Sequence, residues 1–184
     1  WSGIIPSLKA GRIDMIMNSM TITKAREKVI DFSIPYYNSP GAYVAAKDLE
    51  LEIPDGLDGK ILGTQAATTH ANFARRALRS TGVDVRLYDQ QEQVNSDLLS
   101  GRGDVILADE IAMSALVKRD EASNFEIKAT TPQHEAYGIG AGVGVRKEDG
   151  ALKEALDGAI HQVYADGTCT ALSNKYFDTD VCLG

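Results

Sequence analysis

The sequence predicts an α/β chain built as two similar lobes, and three observations carry that prediction. Short β-type runs alternate with helical patterns along the whole length. A helix, glycine, strand phrase occurs twice. Polar residues follow directly after the ends of several predicted strands, which is where open α/β sheets hold their ligands.

Strands are expected at Ile13–Met17, Ala42–Ala46, Ile61–Thr64, Val83–Tyr88, Val105–Ala108, Phe125–Ala129 and Gly142–Arg146, each a short run rich in β-branched or small apolar residues. Such a pattern implies a largely parallel sheet. The clearest helix is Ala151–Tyr164, where Leu152, Leu156, Ile160 and Val163 recur at helical spacing as a core stripe and Asp166-Gly167 supplies the stop. A second runs from about Thr69 to Arg79, with Thr68 or Thr69 able to cap its start and Gly82 shortly beyond its end. A third covers Glu110–Val117, for which Asp109 is a candidate N-cap.

The repeated phrase is Leu8-Lys9-Ala10-Gly11-Arg12-Ile13-Asp14, echoed by Leu98-Leu99-Ser100-Gly101-Arg102-Gly103-Asp104. After each copy the strand delivers polar groups at its carboxyl end: Asn18, Ser19 and Thr21 in the first, Asp109 and Glu110 in the second. Two sheets facing each other would present both sets to one cleft, which predicts a ligand held between lobes.

Composition narrows the class of guest. With 184 residues and 43% hydrophobic content the chain can bury a core. Its net charge of -7, with no basic block, leaves no electrostatic footprint for nucleic acid or an anionic membrane surface. No run approaches the roughly 18 apolar residues of a membrane-spanning helix, so direct membrane insertion is not expected. The chain opens abruptly at Trp1-Ser2-Gly3 without Met or a leader pattern, as though a leader had been removed or the chain began inside a domain. Two cysteines, Cys169 and Cys182, sit close together near the C-terminus and predict a disulfide staple and an oxidising compartment.

Two groups of opposite charge define the expected chemistry. In Asn18-Ser19-Met20-Thr21-Ile22-Thr23-Lys24-Ala25-Arg26, hydroxyls, a helix start capped by Thr23, and the Arg26 guanidinium make a carboxylate site. Asp109, emerging from the apolar run Val105–Ala108, would receive an ammonium group or cap the following helix, and the two roles can coexist. The segment Gln65–His70, opening a helix after a strand, adds N–H groups and the Thr68 and Thr69 hydroxyls for an anionic oxygen. It is not a Walker loop, and Gly138, Gly140, Gly142 and Gly144 fail the dinucleotide spacing. His70, His134 and His161 are isolated in sequence, so neither a cofactor nor a metal is expected.

Taken together, Trp1 to Asp14, Ser19-Met20-Thr21-Ile22-Thr23 with Arg26, Asp31-Phe32-Ser33 with Pro35-Tyr36-Tyr37, Thr68-Thr69, Asp109-Glu110, Gly144 to Asp149, Asp166-Gly167-Thr168 and Lys175-Tyr176-Phe177-Asp178 resemble the polar amino-acid substrate-binding proteins of bacterial ABC importers. Within that family the similarity is to the lysine/arginine/ornithine, histidine and opine binders. The resemblance implies a type II periplasmic-binding-protein clamshell. Lobe one would comprise 1–40 and 138–184, lobe two 41–137, with crossings near Asn38–Tyr43 and Tyr137–Gly142. Lobe one would be incomplete at its N-terminus, lacking a first βαβ portion.

The resemblance also assigns roles. Arg26 would clamp the ligand α-carboxylate with help from Ser19, Thr21 and Thr69, and Asp109 would take the α-ammonium. Trp1 would lie against the ligand side chain and Asn18 would border the pocket. A free amino acid or opine is then the ligand and the membrane permease of an ABC importer the partner, in a periplasmic or secreted location, without catalysis. Two alternatives stay open at this point. One is a periplasmic dehydratase on the same fold, for which Glu110 and His70 are the nearest acid–base candidates. The other is a ligand-sensing receptor module.

Overall fold

The computed structural model describes residues 1–177 and 179–182; Asp178, the last residue of the Lys175–Asp178 motif, lies outside the described residues. In chain order the elements are α1 (Ile4–Lys9), α2 (Lys24–Glu27), β1 (Asp31–Phe32), β2 (Gly41–Ala46), β3 (Ile61–Gln65), α3 (Thr69–Ala77), β4 (Asp84–Tyr88), α4 (Gln91–Leu99), β5 (Val105–Asp109), α5 (Glu110–Val117), β6 (Phe125–Thr130), β7 (Gly144–Val145), α6 (Gly150–Ala165) and α7 (Thr168–Phe177). They fall into two compact units. One, the sheet unit, comprises Trp1–Ser2 and Pro40–Ala136; the other, the split unit, comprises Gly3–Ser39 and the chain from Tyr137 on.

The sheet unit is a five-stranded sheet in the order β4-β3-β5-β2-β6. β3 is parallel to β4 and β5, while β2 runs antiparallel to both β5 and β6. The four strands joined through helices therefore share one direction, as alternating β and α patterns require, and β2 alone opposes them. Central strands β2 and β5 are buried for nearly their whole length. That is why Gly41–Ala46 and Val105–Ala108 read as continuous apolar runs, not as alternation. Ala42, Val44, Ile106 and Ala108 pack with Val94 and Leu98 of α4 and Met113 and Leu116 of α5 in one core cluster. On α3, Ala71, Phe73 and Ala74 are buried.

In the split unit, β1 and β7 form a two-stranded antiparallel pair. The strand expected at Ile13–Met17 is absent: Ile16 makes a single bridge to Gly144, and Met15 and Met17 are exposed. The strand expected at Gly142–Arg146 contracts to Gly144–Val145. Both corrections have one cause, since a β-type run becomes a strand only where a neighbour supplies a continuous ladder, and among the described residues these runs have single bridges and one short pair. Leu8, Ile16, Met20, Ile22, Ile30, Phe32, Val143 and Val145 are buried and make this unit's core. The Arg146 guanidinium, directly after β7, ties in the end of α1 and the segment beyond it, donating from Nη1 to the Leu8 carbonyl at 3.3 Å and the Ile13 carbonyl at 2.9 Å and pairing through Nε with Asp149 at 2.7 Å.

Helix α6 lies where the apolar spacing places it, but its stripe is shallower than expected. Ile160 is buried, Leu152 and Leu156 are half-buried, and Val163 is exposed. Polar bonds complete the docking: Asp157 accepts from the Ile34 N–H at 2.7 Å, and the Tyr164 hydroxyl donates to the Pro35 carbonyl at 2.8 Å. The staple expected near the C-terminus is present as the Cys169–Cys182 disulfide.

The repeated phrase is repeated in geometry as well. Gly11 and Gly101 each follow a helix at positive φ, +67° and +74°, a conformation that glycine adopts without a Cβ penalty. Gly11 N–H donates to Leu8 O and Gly101 N–H to Leu98 O, both at 3.0 Å. Arg12 N–H donates to Ser7 O at 3.0 Å and Arg102 N–H to Asp97 O at 2.9 Å, so both helices stop by the same left-handed cap. Beyond the cap they diverge, into one bridge at Ile16 and a full strand at β5.

Candidate functional site

Each unit carries part of the residue set singled out from the sequence. In the sheet unit, β3 and β5 are parallel neighbours with Leu62 opposite Val105, which brings their carboxyl ends, Gln65 and Asp109, to the same edge of the sheet. From Gln65 the chain turns through Ala66 and Ala67 into α3. Thr68 caps that helix: its Oγ1 accepts from the Ala71 N–H at 3.1 Å and donates to the Gln65 carbonyl at 2.7 Å. Thr69, the first helical residue, is buried. The Trp1 indole N–H donates to the Ala67 carbonyl at 3.1 Å, so Trp1 joins this loop across 66 residues of sequence.

Asp109 ends β5 and caps α5, with Oδ1 accepting from the Ala112 N–H at 3.1 Å. The capping role foreseen for it is therefore realised. Its half-buried carboxylate is fixed in direction by that bond, and the Glu110 N–H next to it donates to the Pro40 carbonyl at 3.0 Å.

The split unit holds the cationic part. Asn18 and Ser19 are exposed; beyond them Met20 and Ile22 are buried while Thr21 and Thr23 are half-buried, the alternation of an extended segment with one face inward. The Met20 carbonyl accepts from the Gly142 N–H at 3.1 Å, and the Ile22 N–H donates to the Gly140 carbonyl at 2.8 Å. Thr23 caps α2, its side chain accepting from the Arg26 N–H at 3.3 Å. The guanidinium of Arg26 turns back along the segment and donates from Nη1 to the Thr21 carbonyl at 2.8 Å. Burial lowers the Arg26 pKa from its ordinary value, because desolvation disfavours the cation. An anion beside such a group offsets that cost. Helix α2 is only four residues long, too short for its dipole to contribute much, so the positive charge here is the arginine itself.

Two left-handed backbone positions escaped sequence reasoning. Among the described residues, the non-glycine positions at positive φ are Ser19 (+54°) and Ala67 (+60°), one in each unit and each inside a segment expected to hold ligand. Left-handed backbone at a residue with a Cβ costs roughly 1–2 kcal/mol, and such strain concentrates at functional sites. Each is tied to a distant aromatic: Ala67 to Trp1, and Ser19 through its N–H to the Tyr36 hydroxyl at 3.0 Å. Nothing in the local sequence announces either bond.

The split unit thus carries a backbone-held cation and the sheet unit a backbone-held carboxylate, each near a left-handed loop residue. The comparisons with known proteins identify the family. The family model described as bacterial extracellular solute-binding proteins, family 3, matches residues 1–179, and the chain belongs to that family. It is 38% identical over 184 residues to the lysine/arginine/ornithine-binding periplasmic protein of Escherichia coli K12, covering 98% of this chain and 71% of that one. To the histidine-binding periplasmic protein of the same strain it is 36% identical over 181 residues, covering 97% and 70%. Among solved structures, an ancestral arginine-binding protein bound to arginine aligns with a TM-score of 0.84 and 32% identity over 95% of this chain and 76% of that one. These findings bear out the fold class and the family expected from the sequence, and they place the chain among proteins named for binding solutes, not for turning them over.

Proposed function

We propose that this protein captures a free polar amino acid, basic or amide-bearing, or an opine, outside the cytoplasmic membrane and delivers it to the membrane permease of an ABC importer. Arg26 grips the α-carboxylate, with Ser19, Thr21, Thr69 and the N–H groups at the start of α3, that of Thr68 among them, as further donors. Asp109 receives the α-ammonium. Trp1 lies against the ligand side chain and Asn18 borders the pocket. Lobe one then consists of residues 1–40 and 138–184 and lobe two of 41–137.

The observation that carries this reading is the pair of backbone-fixed charges. Arg26 is held by the Thr21 carbonyl and Asp109 by the Ala112 N–H, so both are oriented before any ligand arrives. Preorganisation of that kind lowers the entropic cost of binding. The periplasmic location and the solute-binding role of the relatives point the same way.

Calorimetry with a panel of amino acids tests the assignment. Arg26→Ala removes the two parallel charge-assisted bonds to the carboxylate, each worth about 1.5–3 kcal/mol, so affinity for every α-amino acid should fall about 100-fold or more. An Arg26→Ala protein that binds its amino acid as tightly as the parent removes Arg26 from the site.

A further inference from the structure

The Ser19 segment owes its shape to a side chain outside it. Ser19 is exposed, carries a Cβ and sits at φ +54°, and neither glycine chemistry nor burial explains that conformation. Its N–H donates to the hydroxyl of Tyr36, 17 residues further on, at 3.0 Å. Tyr36 is itself firmly placed: its N–H donates to the Ala141 carbonyl at 2.8 Å, and its ring lies 5.3 Å from that of Tyr37. Ala141 in turn bridges both Thr21 and Tyr37. Ser19, Thr21, Tyr36 and Tyr37 therefore meet around one residue of the returning chain.

We propose that Tyr36 is a positioning residue for ligand capture: its hydroxyl accepts the Ser19 N–H, holds Ser19 in the left-handed region, and so aims the Ser19 and Thr21 groups that join Arg26 on the carboxylate. This rests on the carboxylate site assigned above. The division of labour follows from the geometry. With the Ser19 N–H committed to Tyr36, Ser19 meets a ligand through its hydroxyl, and the left-handed turn directs that hydroxyl. Without the phenol oxygen, the backbone at Ser19 regains the wider β and right-handed regions that a residue with a Cβ prefers. The competent arrangement becomes a minority state, and apparent affinity falls by its fractional population.

Tyr36→Phe is the direct test, because it keeps the ring and its contact with Tyr37 and deletes one oxygen. The proposal expects an affinity loss of about 3- to 10-fold, the size of one hydrogen bond. The loss should be in the same proportion for every amino acid that binds, since the carboxylate is common to all. Amide hydrogen exchange at Ser19 in the ligand-free protein should accelerate, while the melting temperature stays within about 2 °C. A merely structural tyrosine would lower the melting temperature and leave the Ser19 amide unchanged. Tyr36→Phe binding with parental affinity, while Arg26→Ala abolishes binding, overturns the role of Tyr36 and leaves the carboxylate site standing. If no amino acid binds the parent protein, the carboxylate site and the positioning role fall together. An unaltered Ser19 exchange rate in Tyr36→Phe refutes the hydrogen bond itself.

Discussion

Replacing Cys182 by Ser opens the one covalent cross-link and isolates what the tail contributes. The bridge joins residues 13 apart, and closing so small a loop stabilises by about 3 kcal/mol on the chain-entropy model. Ser173 is buried, and its Oγ donates to the Thr179 carbonyl at 2.6 Å and accepts from the Val181 N–H at 2.9 Å. The Val181 carbonyl then accepts from the Asn38 N–H at 3.0 Å, fastening the tail beside the segment where the chain leaves this unit. These bonds survive in Cys182→Ser as long as the fold does, so the loss acts mainly through the unfolded chain. For a chain of this size about 3 kcal/mol corresponds to a fall in melting temperature of roughly 6–12 °C. Urea unfolding should show a lower midpoint and a steeper slope, since the uncrosslinked unfolded chain exposes more surface. The same shift should appear in the parent protein under reductant. A fall smaller than about 2 °C, or two alkylatable thiols in the unreduced unfolded protein, would refute this account of the tail.

Three further outcomes follow from other parts of the molecule. Asp109→Asn retains a good N-cap for α5 and removes the charge, so its melting temperature should match the parent while amino-acid affinity drops at least about tenfold. Equal losses of stability and affinity would mean that Asp109 only caps. Gly138→Ala places a Cβ against the Ile22 carbonyl oxygen at φ +62°, so left-handed strain and overlap should together cost about 2–4 kcal/mol in denaturant unfolding, and a neutral variant would show that turn to be freer than described. The Tyr88 hydroxyl and then Arg102 hold the Asp97 carboxyl below its ordinary value of 3.8. Its folded pKa being depressed, its contribution to stability is complete above the unfolded value and is lost as pH falls through the folded one. A carboxyl titration followed by NMR should place the Asp97 midpoint below 3.8, and one above it contradicts the hydrogen-bonded arrangement.

The sheet unit was legible almost strand by strand: β2, β3 and β5 are apolar or small-residue runs buried by their neighbours, and the more exposed edge strands β4 and β6 still alternate polar with β-branched or aromatic residues. Val105–Ala108 and Ile61–Thr64 each extend by a single residue, to Asp109 and Gln65. The reversal of β2 was not legible, since direction is set by where the chain enters the unit and not by the composition of the strand. The same limit explains Ile13–Met17, whose pattern is that of a strand and whose fate depends on a ladder. Caps were readable at Thr23, Thr68 and Asp109, where one side chain and the backbone three residues on suffice. Asp109 stood out because a charge directly beyond an apolar run needs a partner, and Arg26 because it follows a hydroxyl-bearing segment at a helix start. Tyr36 and the left-handed turns at Ser19 and Ala67 did not, because bonds spanning 17 and 66 residues leave no local trace.

The central claim is that a charged pair fixed in advance reads the α-carboxylate and α-ammonium of an amino acid. Calorimetric titration of the parent protein with an amino acid that binds, and then with the amine that lacks only its α-carboxylate, tests this most directly. The account predicts stoichiometric binding of the amino acid and a loss of about 100-fold or more for the amine, matching the loss in Arg26→Ala. An amine that binds as tightly as its parent amino acid would contradict it.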